Sequence, residues 1–179
     1  MKIAFTGSSS TGKTTLAKAL CDIGCVEHFI TIDSRKIIEK HNTKNIDDFT
    51  SENYLAFQRE WIDTKKKSEE HFNDYITDRS YIDAIAYMKC KNMIDQTLID
   101  VALQEMKKYD FVFYLPFGKI AFENDGYRSR NNSFNAMVDE KILELLNCHN
   151  IEYFKVEASS LEQRIQYVQK IIKCSSNHE

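Results

Sequence analysis

The stretch Gly7-Ser8-Ser9-Ser10-Thr11-Gly12-Lys13-Thr14 constrains this chain more than any other. It spells G-x-x-x-x-G-K-[ST], a phosphate-binding loop, which has meaning only between a strand and a helix. Both flanks are present. Ile3, Ala4 and Phe5 make a short apolar strand before the loop. Leu16, Ala19, Leu20 and Ile23 place one apolar face on a helix over 13–23, with Gly24 as its stop. Such a loop wraps backbone N–H groups around a polyphosphate, and Gly7 and Gly12 supply the backbone angles this requires. The N-terminus of the following helix adds partial positive charge. The pattern sends Lys13 to the β- and γ-phosphates and the Thr14 hydroxyl to Mg²⁺, with Ser8, Ser9, Ser10, Thr11 and Thr15 completing the cradle.

A chain of 179 residues that is 42% hydrophobic and 28% charged is expected to form one globular domain with a full core. Its net charge of −3 argues against a global basic field for duplex nucleic acid. No apolar run approaches membrane-helix length, so no membrane partner is expected. Lys2 precedes only a four-residue apolar stretch, too short for a secretory leader. Cys21, Cys25, Cys90, Cys148 and Cys174 are odd in number and scattered, without zinc-site spacing, as expected for reduced thiols in the cytoplasm.

Strands and helices alternate along the whole chain. Further strands are expected at 29–32, 75–77, 111–115 and 153–156. Helices are expected at 35–41, from a Thr50-Ser51-Glu52 cap to about Phe72, at 81–91, 95–107 and 133–146, and from Ser159/Ser160 to about Lys173. Residues 117–132 read as a mobile polar loop, and 174–179 as a frayed tail. This alternation predicts an α/β fold, a five-stranded parallel sheet with helices on both faces. In such sheets ligands sit beyond the carboxyl ends of the strands, so the residues after each strand are the candidates.

After the second strand stands Asp33, placed to draw a proton from an attacking hydroxyl or, alternatively, to cap the next helix. Arg35 beside it can bind a substrate phosphate or lie solvated. After the third strand stand Asp78, which can hold Mg²⁺ or act as the base, and Arg79, which can pair with a phosphate. After the fourth comes the segment with Arg128 and Arg130, suited to closing over transferring phosphoryl oxygens. Tyr54, Phe57 and Trp61 share a helix face; Phe57 is the substrate candidate among them, since a ring there can stack on a nucleobase, though such stripes also make core. Gln58 and Arg59 are candidates for reading base edges. Lys65-Lys66-Lys67 reads as a solvated basic face that can also touch a nucleic-acid backbone.

Together, the Gly7–Thr14 loop, T-D-R-S at Thr77–Ser80 and D-G-x-R at Asp125–Arg128 resemble the P-loop nucleoside and nucleotide kinases, with the ribosylnicotinamide-kinase-like ATPases as the nearest likeness. The resemblance covers nearly the whole chain. It implies the three-layer P-loop kinase-like fold with an Arg-bearing lid at about 117–132. It also implies ATP and Mg²⁺ as cofactors, with Asp78 near the metal, Arg79 near the acceptor, Asp33 as base and Arg128 facing phosphates.

The expected activity is therefore ATP- and Mg²⁺-dependent phosphoryl transfer to a small nucleoside or nucleotide acceptor; the sequence leaves the oligomeric state open, with a homodimer compatible. One rival is a kinase for a hydroxyl on a nucleic acid, motivated by Lys65–Lys67 and the lid arginines. Another is a nucleotide-dependent ATPase switch with no small acceptor. A guanine-reading N-K-x-D is absent, which argues against a GTPase.

Overall fold

A computed structural model describes residues 1–41, 49–120 and 132–176 of the chain. The elements in order are β1 (Lys2–Thr6), α1 (Lys13–Asp22), β2 (His28–Ile30), α2 (Ser34–Lys40), α3 (Ser51–Glu69), β3 (Tyr75–Thr77), α4 (Tyr81–Cys90), α5 (Gln96–Met106), β4 (Phe111–Tyr114), α6 (Asn132–Cys148), β5 (Phe154–Lys155) and α7 (Leu161–Ser176). The five strands form one parallel sheet in the order β2-β3-β1-β4-β5. Every carboxyl end therefore lies on the same edge, as the alternation predicts.

Period-two alternation splits the core between the two faces of the sheet. Ile3 and Phe5 of β1 and Phe113 of β4 pack with Leu16, Leu20, Val168 and Ile172 of α1 and α7. The Phe5 and Phe113 rings meet edge to face, 5.9 Å apart. Val112 and Tyr114 face the other way, into a larger cluster with α2 to α6. The helix starts are fixed by side chains: Thr50 caps α3 through Asn53 N, and Ser80 and Asp83 form a reciprocal capping box on α4. Boundaries differ from expectation by a few residues. α3 ends at Glu69 rather than near Phe72, β2 stops at Ile30, and α7 stays helical through Ser176, past the Lys173 end read from the sequence.

The Lys65–Lys67 run is a solvated basic face only in part: Lys67 is exposed, but Lys65 is not. Lys65 and Glu69 are fully buried and pair at 2.7 Å, one helical turn apart. The Lys65 ammonium also donates to Thr77 Oγ1 at 2.6 Å and lies over the rings of Trp61, Tyr81 and Tyr109. Glu69 is saturated by Lys108 at 2.7 Å and by the hydroxyls of Tyr81 and Tyr109. A buried charge is costly unless each lone pair is met, and here Glu69 accepts on both oxygens. Burial lowers the Lys65 ammonium below its ordinary pKa although Glu69 opposes the shift. Burial alone would raise the Glu69 carboxyl, but Lys65 and Lys108 outweigh it and hold it below the usual range. Lys66 pairs with Glu105 at 3.0 Å. Among the described residues no helix is long and apolar enough to cross a membrane.

Candidate active site

The phosphate loop leaves β1 at Gly7 with φ +145°, and a Cβ there would stand 2.4 Å from the Leu115 carbonyl oxygen. Gly12, at φ +82°, caps α1, and a Cβ on it would stand 2.8 Å from the Arg164 guanidinium. Gly7 is thus required by backbone angle and by its close approach to the Leu115 backbone, and Gly12 by its backbone angle. Within the loop, Thr11 Oγ1 donates to Ser8 O at 3.2 Å. The Lys13 ammonium donates to the carbonyls of Gly7, at 2.7 Å, and Ser8.

Two residues with no motif behind them hold this loop in place. Arg164 of α7 donates from Nη1 to Thr11 O at 2.7 Å and from Nε to Ala158 O at 2.6 Å. Burial lowers its pKa. Asp139 of α6 accepts from Tyr114 Oη at 2.6 Å, from Phe117 N at 3.1 Å and, more weakly, from Ser8 N at 3.4 Å. Burial and then that hydrogen bond push the Tyr114 hydroxyl well up. The sequence carries one faint sign of Asp139, a carboxylate beside Val138 and Ile142 on a buried helix face.

A cavity of about 700 Å³ opens from this loop across the carboxyl ends of β1, β2 and β3. Its walls include Ser9 to Thr15, Asp33, Arg35, Phe57, Asp78 and Arg79, so the candidates from three separate strand ends meet in one space. Gly7 and Ser8 lie beneath it, outside the lining. Arg128 and Arg130, with most of the expected lid, fall outside the described residues.

Thr14 Oγ1 donates to Asp78 Oδ2 at 2.7 Å, and Thr31 Oγ1 donates to the same oxygen at 3.1 Å. This joins the end of the phosphate loop to the end of β3. Asp33 caps α2 through Arg35 N at 3.2 Å, as one of its two readings expects, and it also lines the cavity, half exposed. Arg79 lies over the Tyr87 ring, 5.5 Å from its centre. Burial opposes its charge, yet Tyr87, Asp83 and Asp78 together hold its pKa above the ordinary value. Asp83, which the sequence reading missed, is buried in the cavity floor. Its Oδ2 accepts from Thr6 Oγ1 at 2.7 Å and from Ser80 N and Oγ at 2.9 Å, while Oδ1 has no hydrogen-bond partner among the described residues.

The far end of the cavity is aromatic and amide-bearing. Phe57, Gln58, Trp61, Tyr87, Phe134 and Asn135 line it, and the Asn135 Nδ2 has no partner among the described residues. Tyr54 packs in the core instead of lining the space. Arg59 is no base reader: it pairs with Asp95 at 2.9 Å on the surface. Among the described residues no group of His, Cys, Asp and Glu forms a metal cluster, and all five cysteines are free.

The model of the AAA domain family matches residues 2–164. The chain belongs to that family. No curated protein matches it. Solved structures match over nearly the full length and establish the fold as that of the P-loop kinases. A deoxyadenosine kinase from M. mycoides with bound dCTP is 18% identical, with 97% of this chain and 100% of that one covered and a TM-score of 0.71. A thymidylate kinase from Candida albicans is 23% identical, with 99% and 93% covered and a TM-score of 0.70. The YorR protein from Bacillus subtilis, solved in complex with phosphorylated GDP, is 12% identical, with 100% and 99% covered and a TM-score of 0.60.

Proposed function

We propose that this protein transfers the γ-phosphoryl group of ATP to a small nucleoside or nucleotide. The observation that carries the reading is the junction of the phosphate loop with Asp78 through Thr14, facing Asp33 and Arg79 across one cavity. The neighbours named as deoxyadenosine and thymidylate kinases point the same way.

Mg²⁺ suits the donors present, because Thr14, Thr31 and Asp78 bring hydroxyl and carboxylate oxygens together, the hard ligands this ion takes. Bound there with ATP, it supplies charge neutralisation at the phosphate oxygens. Asp33 is the better base of the two acids. Asp78 already accepts from two hydroxyls, whereas Asp33 receives one backbone N–H and faces the cavity half exposed. Asp33 accepts the proton of the acceptor hydroxyl as its oxygen bonds to the γ-phosphorus, and the bond to the bridging oxygen breaks to release ADP. Lys13 and Arg79 stabilise the charge spreading over the phosphoryl oxygens, with Arg128 and Arg130 joining from the lid. A monophosphate acceptor needs no base, and Arg35 and Arg79 then take its phosphate.

The far end receives the base, stacked against Phe57 or Trp61 and hydrogen-bonded by Gln58. The nucleic-acid reading loses its main support, since Lys65 is buried and Lys66 is paired with Glu105. The test is ADP release by the purified chain with ATP, Mg²⁺ and a panel of nucleosides, ribosylnicotinamide and nucleoside monophosphates. At least one acceptor is expected to raise ADP release and to appear phosphorylated by mass. Background release with every panel member ends the proposal; stimulation by a protein partner alone favours the ATPase switch.

A further inference from the structure

Tyr87 occupies a place that no motif marks. Asp83, Ala84, Tyr87 and Lys91 all line the cavity, and their spacing puts them on one face of α4 and its cap. At about 1.5 Å of rise per residue, Tyr87 sits some 6 Å along the helix from Asp83, towards the far end. Ala84 beside it leaves the ring open to the space.

Three parts of the site meet on that one ring. Its hydroxyl shares a 2.9 Å hydrogen bond with Ser9 Oγ, in the middle of the phosphate loop. The Arg79 guanidinium lies over one face. Phe134, in the first turn of α6, packs against it with ring centres 6.1 Å apart. Ser9 is 5% exposed, so its hydroxyl has little water to turn to when Tyr87 moves. The ring lines the space an acceptor would fill, and its hydroxyl is tied to Ser9.

We propose that Tyr87 is a positioning residue that couples the two ends of the cavity: acceptor bound on the ring favours the phosphate-loop shape that grips ATP, through the hydroxyl on Ser9. This rests on the kinase reading and adds a property to it. By linkage the effect is reciprocal, so ATP tightens the acceptor by the same factor. It also gives the enzyme a means of holding ATP loosely until there is something to phosphorylate.

The experiment measures the affinity of β,γ-methylene ATP with Mg²⁺ by calorimetry, with and without saturating acceptor, in wild type, Tyr87→Phe, Ser9→Ala and the double variant. Deoxyadenosine, thymidine and thymidine monophosphate serve as probes, alongside whichever panel member wild type turns over fastest. Tyr87→Phe keeps the ring and its contacts and removes only the hydroxyl. Acceptor is expected to tighten the analogue about fivefold or more in wild type. That ratio is expected to fall below about twofold in each single variant, with no further loss in the double. A tyrosine with a purely structural role would weaken the analogue equally with and without acceptor, leaving the ratio intact, and that result overturns the proposal. So does a wild-type ratio near one. Absence of turnover with every acceptor is a different failure: it removes the kinase reading, and the coupling with it.

Discussion

At the proposed donor end of the cavity, one run of consecutive residues from Ser9 to Thr15 forms the wall. At the proposed acceptor end, Arg35, Phe57, Gln58, Trp61 and Tyr87 arrive from α2, α3 and α4. The phosphate-loop end depends on backbone shape, fixed by two glycines at positive φ, and is braced from behind by Arg164 and, more weakly, Asp139. The acceptor end depends on side chains, and it stands on a buried charged network in which Lys65 ties α3 to Thr77, the residue before Asp78. A backbone-built site recognises something common to many ligands, the polyphosphate. A side-chain-built site can change its ligand by substitution while the fold stays the same.

This contrast predicts that damage to the two ends is read in different measurements. Glu69→Gln leaves Lys65 buried without its carboxylate, and a loss of about 3–5 kcal/mol is expected in urea unfolding. Lys13→Ala is expected to lower turnover by about 10²–10³-fold with unfolding unchanged within about 1 kcal/mol. A large stability loss in Lys13→Ala would blur the distinction. Asp33→Asn keeps a good helix cap and removes the base. Its kcat is expected to fall about 10²-fold for a nucleoside and far less for a monophosphate, which separates the two acceptor classes. Gln58→Leu is expected to raise the acceptor KM about tenfold while the ATP KM holds within about twofold; equal changes in both would show that the ends are not separate.

The smallest effect concerns pH. The Glu69 carboxyl is held below its unfolded value, so its contribution to stability is present above the unfolded carboxylate pKa. It is lost as pH falls through the depressed folded value. Stability measured from pH 6 downward is expected to decline below about pH 4.5, and turnover at the donor end is expected to follow unfolding.

The donor end was legible because its information is local. Two glycines, a lysine and a threonine at fixed spacing lie between a strand and a helix, and the structure forms that loop. Asp33, Asp78 and Arg79 were legible by position, since the end of a parallel strand is where such a fold gathers its ligands. Lys65 was misread because three consecutive lysines look solvated. Yet Phe57, Trp61, Lys65 and Glu69 follow one another at helical spacing, so the buried stripe of α3 runs straight through the charge pair. Arg164 and Asp139 are single residues on late helices, brought to the loop only by the fold; no local pattern marks Arg164, and Asp139 shows only as a carboxylate on a buried apolar face. No local pattern singles out Tyr87: Ala86 and Met88 beside it go to the core while it turns to the cavity.

The central claim is that the Gly7–Thr14 loop grips a nucleoside triphosphate. Calorimetric titration of the purified chain with ATP and Mg²⁺ tests it most directly. Saturable binding of one ATP per chain, lost or strongly weakened in Lys13→Ala with the fold retained, is the predicted result. A flat titration with wild type would contradict the account at its base.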